Sequence, residues 1–149
     1  MTQTLKSFLT GANNKDFATH QGTQMHNLLQ HIVVDEKTGN QGNPDIVKII
    51  KNKPELKRFF VCNAKTEVPI AGKINGYFLS RRIDRLLINH DTKTIDFIDY
   101  KTDINKNEFI EKYKKQLNEY ADLLHFVHPN YKINGYILWT HDWELNKII

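Results

Sequence analysis

Residues 94–102 read Thr94-Ile95-Asp96-Phe97-Ile98-Asp99-Tyr100-Lys101-Thr102. In a β-strand successive side chains point to opposite faces, so Ile95, Phe97, Asp99 and Lys101 share one face, and Asp96, Ile98 and Tyr100 the other. The first face begins as a hydrophobic surface and ends in a carboxylate and an ammonium. A sheet face covered by a helix is normally filled with apolar side chains, because burying an unpaired charge is costly. The charged end therefore reads in one of two ways. It is a solvated ion pair at a strand end, contributing less than about 1 kcal/mol, or it is the start of a site.

Just upstream, Lys73 to Asn89 reads as a strand with Asp84 set inside Ile83-Asp84-Arg85-Leu86-Leu87-Ile88. The turn residues His90-Asp91-Thr92-Lys93 join it to the strand 94–101 as a hairpin. That pairing predicts Asp84 and Asp99 on neighbouring strands at about the same level. Farther upstream, Cys62 to Ala71 reads as another strand, with Gly72-Lys73 as the connecting turn. Downstream, the polar stretch Thr102 to Asn107 leads into a helix over Asn107 to Val127, with Ile110, Tyr113, Leu117, Tyr120, Ala121 and Leu124 as its apolar stripe. His128-Pro129-Asn130 ends that helix, and Tyr131 to Thr140 reads as a last strand. A strand returning after so long a helix suits a parallel crossover.

The N-terminal part has helical rather than alternating periodicity. Met25, Leu28, Leu29, Ile32 and Val33 recur at helical spacing. The Gly/Asn-rich stretch Asp35 to Pro44 has loop chemistry. Pro44-Asp45 opens a helix with Ile46, Ile49 and Ile50, and Pro54 starts a short third one through Phe59 or Phe60. The expectation is a single α/β domain over 1–149, mostly helical over 1–60, with an αβ core over 61–140. Its central sheet is mixed, of about four strands, flanked by helices.

Composition narrows the function classes. No apolar run reaches the length of a membrane span. Met1 to Phe17 has neither an apolar h-region nor a small-residue cleavage site, which predicts a protein that is not exported. Cys62 is the only cysteine, so an internal disulfide, a four-cysteine zinc site and an iron–sulfur cluster are all excluded. The expected compartment is the reducing cytoplasm. A net charge of +4 gathers at Lys48 to Arg58, at Arg81, Arg82 and Arg85, and from Lys101 to Lys115. Such clusters favour anionic partners, although charge of this size also serves solubility alone.

Two carboxylates converging beside a lysine suit a divalent cation, since Mg²⁺ is commonly held by one or two carboxylates together with waters and phosphate oxygens. Such an ion lowers the pKa of a bound water and offsets phosphoryl charge. A fixed ammonium at Lys101 would add to that stabilisation. By itself His26, flanked by Met25 and Leu29, reads first as a satisfied histidine at the core edge. His31, His125, His128 and His141 carry no mark of a ligand, and His26 to His31 lacks the spacing and glutamate of a zinc-protease motif.

The order Gly22-Thr23-x-x-His26, Glu67, Asp84, Asp99-Tyr100-Lys101 and Gln116-x-x-x-Tyr120 resembles the RecB-type branch of the PD-(D/E)XK nuclease superfamily. The resemblance covers residues 20–140, nearly the whole chain. It implies a restriction-endonuclease-like core and a metal-dependent DNA nuclease, exonuclease-like and of the repair or recombination type. It implies Mg²⁺ or Mn²⁺, as one or two ions, held by His26, Asp84, Asp99 and the main-chain carbonyl of Tyr100. Lys101 would be the catalytic lysine, with Gln116 and Tyr120 acting beside it from one helix face. Glu67 stays open between an outer or second-metal carboxylate and a surface residue before Pro69. Arg81 stands where the family often has glycine, and with Arg82 and Arg85 it could contact phosphate. Ile83 replaces the proline of the nominal motif.

The implied partner is DNA, single- or double-stranded. No G-x-x-x-x-G-K-[ST] loop is present, so the chain is either a free-standing nuclease or a part that works with a separate helicase subunit. The competing reading is a catalytically inactive nucleic-acid-binding or helicase-partner module of the same fold. A third is hydrolysis of free nucleotides or other phosphoesters. Tyr77, Phe78, Trp139 and Trp143 read either as base-stacking aromatics or as core.

Overall fold

Asn43, Pro44 and Asp45 show how locally the helical part is specified. The Asn43 side-chain oxygen accepts from the N–H groups of Asp45 and Ile46 at 3.0 and 3.2 Å. Pro44 occupies the first turn, where a missing N–H costs nothing. A computed structural model describes residues 22–149; the export reading of Met1 to Phe17 lies outside them. Helix α1 occupies residues 22–30, α2 Pro44–Lys51 and α3 Pro54–Lys57. Strands β1 (Lys65–Ile74), β2 (Tyr77–Asn89) and β3 (Thr94–Lys101) follow, then helix α4 (Lys106–Val127) and strands β4 (Lys132–Trp139) and β5 (Glu144–Lys147).

The fold is α/β around one mixed five-stranded sheet in the order β1-β2-β3-β4-β5. β3 and β4 are parallel, as the long intervening helix requires, and the other neighbours are antiparallel. Helices cover both faces. On one, Leu29, Ile32, Ile50, Leu56, Phe59 and Phe60 pack against Ile98, Tyr100 and Leu138. On the other, α4 presents Tyr113, Leu117, Tyr120 and Leu124 to Ile83, Ile95, Phe97, Ile137 and Trp139. Each fully buried aliphatic or aromatic side chain stabilises the fold by about 1.5–3 kcal/mol. Gly135 lies beside Phe97 in the β3–β4 register, and a Cβ there would come within 2.6 Å of the Phe97 ring. No helix among the described residues is long and apolar enough to cross a membrane.

Two sequence expectations are corrected. The β1–β2 turn is Asn75-Gly76, not Gly72-Lys73. Asn75 and Gly76 have φ of 50° and 82°, the left-handed pair that a tight two-residue hairpin turn demands. Gly72 instead lies inside β1, where a Cβ would approach the Leu123 side chain of α4 to 3.2 Å. The second correction is β5. Its polar sequence Glu144-Leu145-Asn146-Lys147 gives little strand signal, and pairing with the otherwise free edge of β4 is what makes it a strand.

Candidate active site

The β2–β3 ladder ends at Arg85 and Ile98, so Asp84 and Asp99 are the next residues on these two neighbouring strands. Both side chains are buried, at 6% and 3% exposure. On the other side of β2 the ladder with β1 runs Thr66↔Arg85 and then Val68↔Ile83, skipping Glu67 and Asp84. Glu67 has φ 51°, a left-handed conformation that costs a residue with a Cβ on the order of 1–3 kcal/mol. The alternation of β2 slips here: Ile83 and Leu86 both face α4, whereas Arg85 turns to the opposite core. This irregularity aims Asp84 along the end of the sheet, towards α1.

Two groups meet at Asp84. Its Oδ2 accepts the Tyr100 N–H at 2.7 Å, and its Oδ1 lies 3.3 Å from His26 Nδ1. His26 Nε2 is 3.3 Å from the Tyr100 carbonyl oxygen, and the two rings meet edge to face. The imidazole pKa is raised, first by its hydrogen bond to Asp84, against the opposing effect of burial. A protonated imidazole donates from both nitrogens, and both acceptors are in place. The pocket is built to hold positive charge.

Asp99 is more confined. Burial drives its carboxyl well above the ordinary range; Lys101 opposes that shift and the neighbouring Asp84 charge reinforces it. Lys101 Nζ lies 2.7 Å from Asp99 Oδ2, but off the hydrogen-bond direction, so this buried oxygen has no hydrogen-bond partner among the described residues. The ammonium instead donates to Gln116 Oε1 at 2.9 Å, and Gln116 Nε2 donates to the Tyr120 hydroxyl at 2.8 Å. Burial raises the Tyr120 pKa, which keeps that hydroxyl neutral. The solvated ion pair allowed by the sequence is ruled out, since the Lys101 and Asp99 side chains are 15% and 5% exposed. A pair so desolvated is a poor source of stability compared with hydrophobic side chains.

The structure thus brings together His26, Asp84, Asp99, the Tyr100 main chain, Lys101, Gln116 and Tyr120. It also draws in Glu67, which the sequence left open, and adds Tyr113. Glu67 joins His26 and Asp84 in a group whose ligand atoms all lie within 4.8 Å of one another. Tyr113 lies under the Lys101 ammonium, its ring centroid 4.1 Å away, with its hydroxyl donating to Asp103. The signal for Tyr113 was present in the sequence: with Gln116 and Tyr120 it forms an i, i+3, i+7 series on one helix face.

Arg85 is a correction. It is 1% exposed and donates to the carbonyls of Leu29 and Phe59 at 2.8 and 3.2 Å and to the Tyr100 hydroxyl at 2.8 Å. A guanidinium walled in this way is out of reach of nucleic acid; it ties the last turn of α1 and the segment after α3 to the sheet. Arg81 forks onto Glu119 of α4, with Nε at 3.0 Å and Nη2 at 2.9 Å. Arg82 remains exposed, with Nη1 3.7 Å from Glu67. Among the aromatics, Trp139 is buried and Trp143 packs against the core, whereas Tyr77 and Phe78 are 77% and 73% exposed.

The donor set suits a hard divalent cation. Carboxylates and a main-chain carbonyl are Mg²⁺ ligands, an imidazole extends the choice to Mn²⁺, and the Asp99 oxygen, ion-paired with Lys101 but without a hydrogen bond among the described residues, is a further acceptor. Two clefts open beside these groups. One of about 380 Å³ is lined by Gly22, Thr23, His26, Asn27, Glu67 and Arg82. The other, of about 520 Å³, includes Arg81, Lys101, Lys112, Lys115 and Gln116.

No protein-family model matches the sequence, and no curated protein matches it.

Proposed function

We propose that this chain hydrolyses phosphodiester bonds of DNA with the help of a divalent cation, Mg²⁺ or Mn²⁺. The observation that carries the reading is the burial of two carboxylates, Asp84 and Asp99, on the neighbouring strands β2 and β3, beside an ammonium held in place by Gln116. Asp84, Asp99, His26 and the Tyr100 carbonyl would hold the ion, with Glu67 alongside. When bound, such an ion supplies Lewis acidity, lowering the pKa of a water and offsetting phosphoryl charge.

The chain's own residues do the rest. The Tyr100 N–H fixes one Asp84 oxygen and leaves the other directed to His26. Gln116 and Tyr120 hold the Lys101 ammonium beside Asp99, where its fixed charge would offset negative charge developing on the phosphoryl oxygens of a bound phosphodiester. Tyr113 closes one side of that ammonium from below.

A restriction-endonuclease-like core of the RecB type belongs to the same proposal. It is supported by the order of the motif residues along the chain and by the parallel β3-α4-β4 unit that carries Asp99, Lys101, Gln116 and Tyr120. The exonuclease-like activity implied by the resemblance is distinguished by comparing linear with covalently closed DNA.

The test is incubation of labelled DNA with Mn²⁺, with Mg²⁺ and with EDTA. Cleavage that EDTA stops, and that Asp99→Ala or Lys101→Ala removes while the variants still fold, is the expected result. DNA binding by the wild type without cleavage at any metal concentration would replace this reading with that of a non-catalytic module.

A further inference from the structure

The hairpin β1–β2 extends beyond the site, and among the described residues only one of its faces is covered. Val68 and Ile70 pack into the α4 core, and Gly72 lies against Leu123. On the other face the register pairs Pro69 with Arg82, Ala71 with Ser80 and Lys73 with Phe78, and all six residues are exposed. This strip has a consistent chemistry. It carries two cations: Arg82, exposed and 3.7 Å from Glu67 at the edge of the site, and Lys73, exposed opposite Phe78. Phe78, 73% exposed, stands at its far end. Arg82 also lines the cleft of His26 and Glu67, so the strip runs into the site without a break.

We infer that this hairpin face is a track for single-stranded nucleic acid leading to the carboxylate pair, with Arg82 and Lys73 on phosphates and Phe78 stacked on a base. The inference rests on the proposed hydrolytic site. Cations that follow a backbone and an aromatic ring that offers a base its face are the two parts of sequence-tolerant single-strand binding. From Phe78 to Asp84 is six residues of strand, or about 20 Å, a length spanned by about six nucleotides at a stacked spacing of roughly 3.4 Å. A protein strand added to this edge is the weaker occupant, because Pro69 on β1 interrupts the donor row.

The test is fluorescence anisotropy of the full chain with a labelled 20-nucleotide single strand in EDTA, where binding is read without cleavage. Phe78→Ala is expected to weaken binding about tenfold, while Phe78→Trp retains it. Arg82→Ala should lower the slope of log affinity against log salt by about 0.7, the loss of one single-strand phosphate contact. The track is overturned if the wild type does not bind the 20-mer or if Phe78→Ala changes affinity less than twofold. It is equally overturned if Phe78→Ala weakens blunt duplex as much as single strand, or if its sole effect is to dissociate a dimer in sedimentation. Cleavage by wild-type protein is scored separately. Cleavage with no effect of Phe78→Ala sinks the track and leaves the hydrolytic reading standing; a Phe78-dependent single-strand affinity in a chain that cuts nothing does the reverse.

Discussion

Lys101 Nζ sits 2.7 Å from Asp99 Oδ2 at the end of β3, with both side chains largely withdrawn from water. Desolvated pairs of this kind add little stability, yet each partner protects the other from being buried alone. Lys101→Met should therefore destabilise the fold towards the low end of about 3–5 kcal/mol, because Lys101 keeps some solvent contact. The double variant Asp99→Leu/Lys101→Met should recover most of that loss in urea denaturation while cutting no DNA. A double variant as unstable as the single one would show that the pair is structural.

Arg85 is the interior counterpart. Arg85→Ala leaves the Leu29 and Phe59 carbonyls and the Tyr100 hydroxyl without their donor, and should cost about 3–5 kcal/mol, read as a lower urea midpoint. Arg85→Lys should recover only part of this, because a point ammonium cannot replace a planar fork. The salt dependence of DNA binding should not change. A reduced slope with stability intact would return Arg85 to the phosphate contacts.

His26 bridges Asp84 and the Tyr100 carbonyl without supporting a core. His26→Ala should weaken Mn²⁺ binding by no less than the roughly 10–100-fold seen when residues supporting a metal site are lost. Calorimetric titration measures this directly, with far-UV dichroism as the check that the fold persists. Unchanged Mn²⁺ affinity would remove His26 from the site.

Lys106 at the start of α4 binds Asp142 at 2.6 Å and also Glu144, fastening the helix to the β4–β5 turn. The Lys106 ammonium holds the Glu144 carboxyl below its ordinary 4.5. Burial pushes Asp142 up, but the Lys106 hydrogen bond and the Glu144 N–H carry it below 3.8. A carboxyl with a lowered folded pKa contributes its stability above the unfolded value and loses it as pH falls through the folded value. Lys106→Met should thus lower the urea midpoint slightly at pH 7 and converge with wild type in acid, below the folded values. Solvent screening keeps the difference under about 1 kcal/mol. A gap that persists or widens in acid would refute the linkage.

Much of the sheet was legible because its signals are local. The turn at 90–93, the alternation of 94–101 and the stripe of the long helix each lie within a few residues, and together they place Asp84 beside Asp99. The Asn75-Gly76 turn was also legible in principle, as an Asn-Gly pair, but Gly72 drew the turn earlier. What favours a small residue at Gly72 is the approach of Leu123 from α4, a contact between residues far apart in the chain.

The amino-acid sequence by itself determined which residues could carry chemistry and the strand pairing that brings two carboxylates together, since period-two alternation and a short turn leave little freedom of register. Tertiary structure decided the protonation and accessibility of those residues. Burial depends on what packs from elsewhere in the chain: it closed the core over Arg85, left Phe78 in solvent, turned Glu67 into the cluster through a left-handed backbone, and removed water from Asp99 and Lys101.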